Sequence, residues 1–143
     1  MEKKHLSILN DIAELRELQH TIEELAPAWG LPQKVSMNLN LVLEEIISNI
    51  IFYAYEDDLK HRISIDFILE QNAVKVVIID DGKAFNLLES AEFEDVAKGA
   101  EDRKIGGLGI HFVRSLMDVV DYSRENENNI LTLVKNFKTN INK

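Results

Sequence analysis

The 143-residue chain has no cysteine, which excludes disulfides and thiolate metal sites. It holds only two prolines. Pro27 and Pro32, together with Gly30, mark a turn in an otherwise periodic stretch. No apolar run reaches about 18 residues without a charge, so no membrane span is expected. The opening MEKKHLSILNDIAEL carries neither a long apolar segment nor a cleavage signal, and a cytoplasmic location is expected. Positive charge is also scarce. Sixteen Lys and Arg against 25 Asp and Glu leave a net charge of −9, which argues against direct nucleic-acid binding or a face for anionic membrane. His5, His20, His61 and His111 are scattered, with no metal-ligand spacing. No Ser/His/Asp arrangement can be read.

What is present reads as one domain over residues 1–143. HLSIL (5–9) has the composition of an edge strand. Asn10 or Asp11 then caps a helix, with Glu14 placed to reach back. Ile12, Leu15, Leu18, Ile22 and Leu25 repeat at helical spacing up to the turn at Pro27. A longer helix spans about Gln33 to Tyr53. RISIDFIL (62–69) and AVKVVIID (73–80) alternate as strands, and Gln71-Asn72 suits a hairpin between them. Residues 83–104 are acidic and irregular. A helix is expected from Gly109 to Asp118, then strands near 119–124 and 129–137. This order predicts an α+β fold, a two-layer sandwich whose mixed, mostly antiparallel sheet carries helices on one face.

Three features carry chemistry. On the long helix, Asn49 lies ~40° and Asn38 ~20° around the axis from Glu45. They form a stripe at the border of an apolar face made by Val35, Leu39, Leu43, Ile46, Ile50 and Ala54. A carboxylate and an amide one turn apart can serve as base and metal ligand, although a solvated polar face gives the same pattern. In AVKVVIIDDGKAF, Asp80 shares parity with Val74, Val76 and Ile78 and so faces inward, while Asp81 faces out. An Asp-Gly turn explains Asp81-Gly82 but not an inward Asp80, which needs hydrogen-bond donors that a ligand could supply. Finally, five of the six glycines fall between positions 82 and 109. In DRKIGGLGIHF, Gly106, Gly107 and Gly109 precede a helix, where backbone N–H groups can face an anion, and Arg103 and Lys104 add local positive charge. A flexible loop is the other reading. No GxxxxGK[ST] occurs, and GGLG does not follow a strand as a dinucleotide fingerprint does.

The ordered set resembles the GHKL (Bergerat-fold) ATPase superfamily. Glu45-Ile-Ile-Ser-Asn49 is similar to its N box, Asp80-Asp-Gly82-Lys-Ala-Phe85 to its first glycine box, and Gly107-Leu108-Gly109-Ile110 to its second. Within the superfamily, the small size, the D-x-G-x-x-F form and GLGIHFVRSLMDVVDY are most similar to the bacterial anti-sigma-factor serine kinases. The resemblance implies ATP and Mg²⁺ as cofactors. Asp80 would accept the adenine amino group, Asn49 would ligate Mg²⁺, and Glu45 would be the general base. Residues 86–105 would form a lid. The N–H groups around Gly107 to Ile110 would cradle phosphates, with Lys104 beside them and Gly82 and Phe85 in the adenine-side loop. Thr132 would help at the adenine end. The implied partners are a sigma factor and a STAS-type anti-anti-sigma protein, phosphorylated on serine by a homodimeric kinase. A non-catalytic ATP-binding partner switch and a detached histidine-kinase-like catalytic domain are the alternatives. One departure is Tyr53, where the family often has histidine.

Overall fold

The alternation in RISIDFIL and AVKVVIID builds the centre of a five-stranded sheet. The computed structural model describes residues 2–86 and 113–138. Its strands are β1 (Glu2–Leu9), β2 (Arg62–Glu70), β3 (Ala73–Asp80), β4 (Val119–Glu125) and β5 (Asn128–Asn136), in spatial order β1-β2-β3-β5-β4. Glu70 pairs with Ala73, so Gln71-Asn72 forms the expected two-residue connection. A second hairpin pairs Glu125 with Asn128. Its Asn126 and Glu127 have φ of 52° and 65°, the left-handed pair whose twist suits a tight hairpin.

A mixed, mostly antiparallel sheet was expected, and every described strand pair is antiparallel. Two pairs are hairpins. The connection from β1 to β2 contains two helices, one out and one back, so β2 starts where β1 ends, with Leu9 opposite Arg62.

The helices are α1 (Leu15–Ala28) and α2 (Gln33–Tyr53). A 3-10 turn, Ile12–Glu14, precedes α1. Asp11 caps this turn by accepting from Ala13 N at 3.0 Å, and Glu14 reaches back to accept from Leu9 N at 2.9 Å. Because Ile12 lies in the turn rather than in α1, it stays exposed and does not join Leu18, Ile22 and Leu25 in the core. Pro27 does not end α1. A proline in the last turn removes one N–H, and the helix runs on to Ala28. The actual stop is Gly30, with φ of 69°. Gly30 N donates to Pro27 O and Leu31 N to Ala26 O, the paired bonds of a Schellman ending, with Ala26 and Leu31 both buried.

The second layer packs on one face of the sheet. Phe67, Val76, Ile78 and Leu133 meet Leu39 and Leu43 of α2 in a single core that also takes Ile8, Ile22 and Val113. By length and composition alone α2 could cross a bilayer. However, it buries Val35, Leu39, Val42, Leu43, Ile46 and Ile47 inside the domain. Val42 and Ile47 therefore join the buried face, while Ile50 lies at its margin. Residues 113–116 are helical, within the helix expected over 109–118.

Candidate functional site

Asp80 ends β3 pointing into the core side, as its parity requires, and is 5% exposed. Its Oδ1 accepts from Gly82 N at 2.9 Å and from Asn129 Nδ2 at 3.0 Å. Among the described residues no donor reaches Oδ2, so this oxygen is the one open to a ligand. Burial pushes the Asp80 carboxyl above the usual range and Asp81 adds to it. The bonds from Asn129 and Gly82 and the Arg124 charge pull the other way.

The turn after Asp80 is seated on the end of α2. Lys83 N donates to Ala54 O at 2.9 Å, and a Cβ on Gly82 would stand 2.5 Å from Ala54 Cβ. Asn49 is five positions before Ala54, ~7.5 Å along the helix axis at 1.5 Å per residue. The acidic turn and the Glu45–Asn49 stripe thus share one helix end. Asn49 Nδ2 donates to Glu45 O at 2.9 Å and to Glu45 Oε2 at 3.1 Å. This pairing orients the carboxylate and leaves the Asn49 amide oxygen as the atom able to bind a cation.

Asn129, which no sequence motif marked, occupies the position on β5 opposite Asp80. It is buried. Its Nδ2 also donates to Lys83 O at 2.9 Å. Its Oδ1 accepts from Arg124 Nη1 at 3.1 Å, from Phe85 N at 3.4 Å and from the Tyr122 hydroxyl. Arg124 Nη1 also donates to Gly82 O at 2.8 Å. A sequence signal existed, since Asn129 shares parity with buried Leu131 and Leu133. Thr132 has the opposite parity and pairs with Val77, so it faces the other side of the sheet from Asp80.

Tyr55 and His61 complete the neighbourhood. Their rings stack at 4.2 Å. The Tyr55 hydroxyl is buried with no partner among the described residues. Its pKa is pushed up by burial first and then by Asp80, Asp81 and Asp57. A buried hydroxyl near Asp80 calls for a water or ligand partner. Phe85, by contrast, is 49% exposed and enters through its backbone N–H. Tyr53 is exposed at the end of α2, edge-on to Phe52.

The structure therefore joins Asp80, Gly82 and Phe85 to the helix end below Glu45 and Asn49. Lys104, Gly107, Leu108, Gly109 and Ile110 lie outside the described residues, as does the expected lid apart from Asn86.

A family model for the histidine kinase-like ATPase domain matches residues 8–135. The chain belongs to that family. ATP binding is what membership in the histidine kinase-like ATPase family implies. Among curated relatives, a serine-protein kinase RsbW of Listeria monocytogenes is 27% identical over 104 residues, 70% of this chain and 66% of the relative. The chain thus matches just under two thirds of that relative's length. Another RsbW, from Halalkalibacterium halodurans, is 25% identical over 80% of this chain and 71% of its own. The fold is that of the histidine kinase domain of the blue-light activated kinase from Erythrobacter litoralis. That likeness has a TM-score of 0.57 at 13% identity, over 88% of this chain and 60% of that one.

Proposed function

We propose that this protein is an ATP-dependent serine/threonine protein kinase that also acts as an anti-sigma factor, phosphorylating a small anti-anti-sigma partner. The observation that carries the reading is the buried Asp80. One of its oxygens is held by Gly82 and Asn129 and the other is open, and its loop is seated on the helix that bears Glu45 and Asn49. The names of the curated relatives support the kinase and partner assignments.

Asp80 Oδ2 accepts the exocyclic amine of adenine. Among the described residues no group of three His, Asp or Glu side chains is placed to hold a metal ion. Mg²⁺ beside a nucleotide needs only one or two protein oxygens, with phosphates and waters as its other ligands. The Asn49 oxygen would hold Mg²⁺, which would neutralise phosphate charge when bound. Glu45, oriented by Asn49, takes the proton from the partner's serine hydroxyl as that oxygen forms its bond to the γ-phosphorus. The bond to the bridging oxygen breaks and ADP leaves. The kinase works as a cytoplasmic homodimer in this reading.

Incubation with labelled ATP, Mg²⁺ and a candidate anti-anti-sigma protein tests it. Acid-stable phosphoserine should form with the wild type. Glu45→Ala should lower transfer at least 100-fold while ATP affinity changes less than threefold. Asp80→Asn should lower ATP affinity at least tenfold. Measurable ATP binding without transfer by the wild type sinks the kinase assignment and leaves a non-catalytic switch. Acid-labile label identifies a histidine kinase instead.

A further inference from the structure

Asn129 is the point where the base end of the site, the turn after it and β4 meet. Every hydrogen-bonding position of its amide is engaged, and the partners fix which way the amide lies. Arg124 Nη1 and Phe85 N can only donate, so they must face Oδ1. Lys83 O can only accept, so it must face Nδ2, which places the second N–H on Asp80 Oδ1. Turned over, the amide would set N–H against N–H and oxygen against oxygen at four contacts. The orientation is therefore fixed by the protein's own groups.

That lock acts on Asp80. A carboxyl that is 5% exposed tends to take up a proton, and Asp81 beside it strengthens the tendency. Tyr55, close to Asp80, brings a neutral hydroxyl. Arg124 supplies positive charge, but its guanidinium bonds Asn129 and Gly82 O rather than the carboxylate itself. The only side-chain donor on Asp80 among the described residues is Asn129. An ionised carboxylate offers only acceptors at Oδ2, which suits a 6-amino purine. A protonated carboxyl can donate there, and a 6-keto purine becomes tolerable.

We propose that Asn129 is a positioning and specificity-determining residue: by donating to Asp80 Oδ1 it keeps the carboxyl an acceptor, so that the site takes amino purines and rejects keto purines. This rests on the assignment of Asp80 to adenine made above. Threonine or serine at position 129 could supply one donor but could not also bond Lys83 O. Aspartate would set a second carboxylate about 3 Å from Asp80, and such pairs share a proton.

The test measures ATP and GTP affinity by calorimetry for wild type, Asn129→Asp, Asn129→Ser and Asp80→Asn between pH 5.5 and 8.5, each first checked for folding by circular dichroism. The wild type should prefer ATP. Asn129→Asp should lower the ATP:GTP affinity ratio at least tenfold, with the larger loss at low pH. Asn129→Ser should recover part of the ratio. A folded Asn129→Asp with the wild-type ratio and pH profile overturns the proposal. If that variant does not fold, a folded Asn129→Ser with an unchanged ratio and profile overturns it equally. When Asp80→Asn loses ATP but both Asn129 variants behave as wild type, only this inference fails. When Asp80→Asn binds ATP as the wild type does, the site assignment itself fails.

Discussion

Gly82 has no room for a methyl group. Its added Cβ would meet Ala54 Cβ at 2.5 Å and the Ala54 carbonyl oxygen at 2.7 Å, so either the turn or the end of α2 must move. Gly82→Ala should cost about 1–3 kcal/mol in chemical denaturation, the range for overpacking. It should also weaken ATP binding, because the turn carries Asp80, the proposed adenine partner. Asp80→Asn should do the opposite to stability. The raised carboxyl contributes stability that is present below its ordinary value of 3.8 and lost as pH rises through the raised one. At neutral pH the ionised form therefore opposes folding. Asparagine at 80 keeps an oxygen for Gly82 N and Asn129 Nδ2. The variant should gain roughly 1 kcal/mol in a melt at pH 7, as is common where a site is held at the expense of stability. An unchanged or lower melting temperature would contradict this.

The connection between α2 and β2 is held by one histidine. His61 Nε2 lies 2.8 Å from Asp57 Oδ1 and Nδ1 lies 3.2 Å from Asp81 Oδ1. Its backbone N–H donates to Asn10 Oδ1. The hydrogen bond that the imidazole donates to Asp57, then that to Asp81, raises it above 6.5 against its desolvation. The His61 bond, then that from Leu59 N, holds Asp57 below 3.8. The stabilisation from His61 is fully present below 6.5 and fades as pH rises through the raised value. That from Asp57 is lost only as pH falls through its lowered one. Thermal melts should therefore show the wild type losing stability relative to His61→Gln between about pH 6 and 8. A constant difference across that range refutes the clamp. At this scale the sequence was legible where one period governs a segment. The limits of α2 and the hairpin at Gln71-Asn72 follow from spacing alone. It was illegible where pairing decides. Parity within β5 separates Asn129 from Thr132, but only the β3–β5 register puts Asn129 opposite Asp80. Pro27 misled because a proline in a last turn removes so little.

The whole molecule carries −9 on 143 residues, and such excess charge repels itself in the folded state. Raising ionic strength from about 0.01 M to 0.15 M shortens the screening length from about 30 to 8 Å. The melting temperature should rise by a few degrees, and a fall on adding sodium chloride would show that attractive pairs dominate instead. The order β1-β2-β3-β5-β4 has a further result in time. The β1 strand is made early, yet its partner lies far along the chain. Paired positions on the two strands are 53 residues apart at Leu9–Arg62 and 67 apart at Glu2–Leu69. At synthesis rates of about 5–20 residues per second, the nascent β1 waits roughly 3–13 s for its neighbour. Glu2, Lys3 and Lys4 give that waiting strand exposed charges, which discourage it from pairing with a neighbouring chain on the same message.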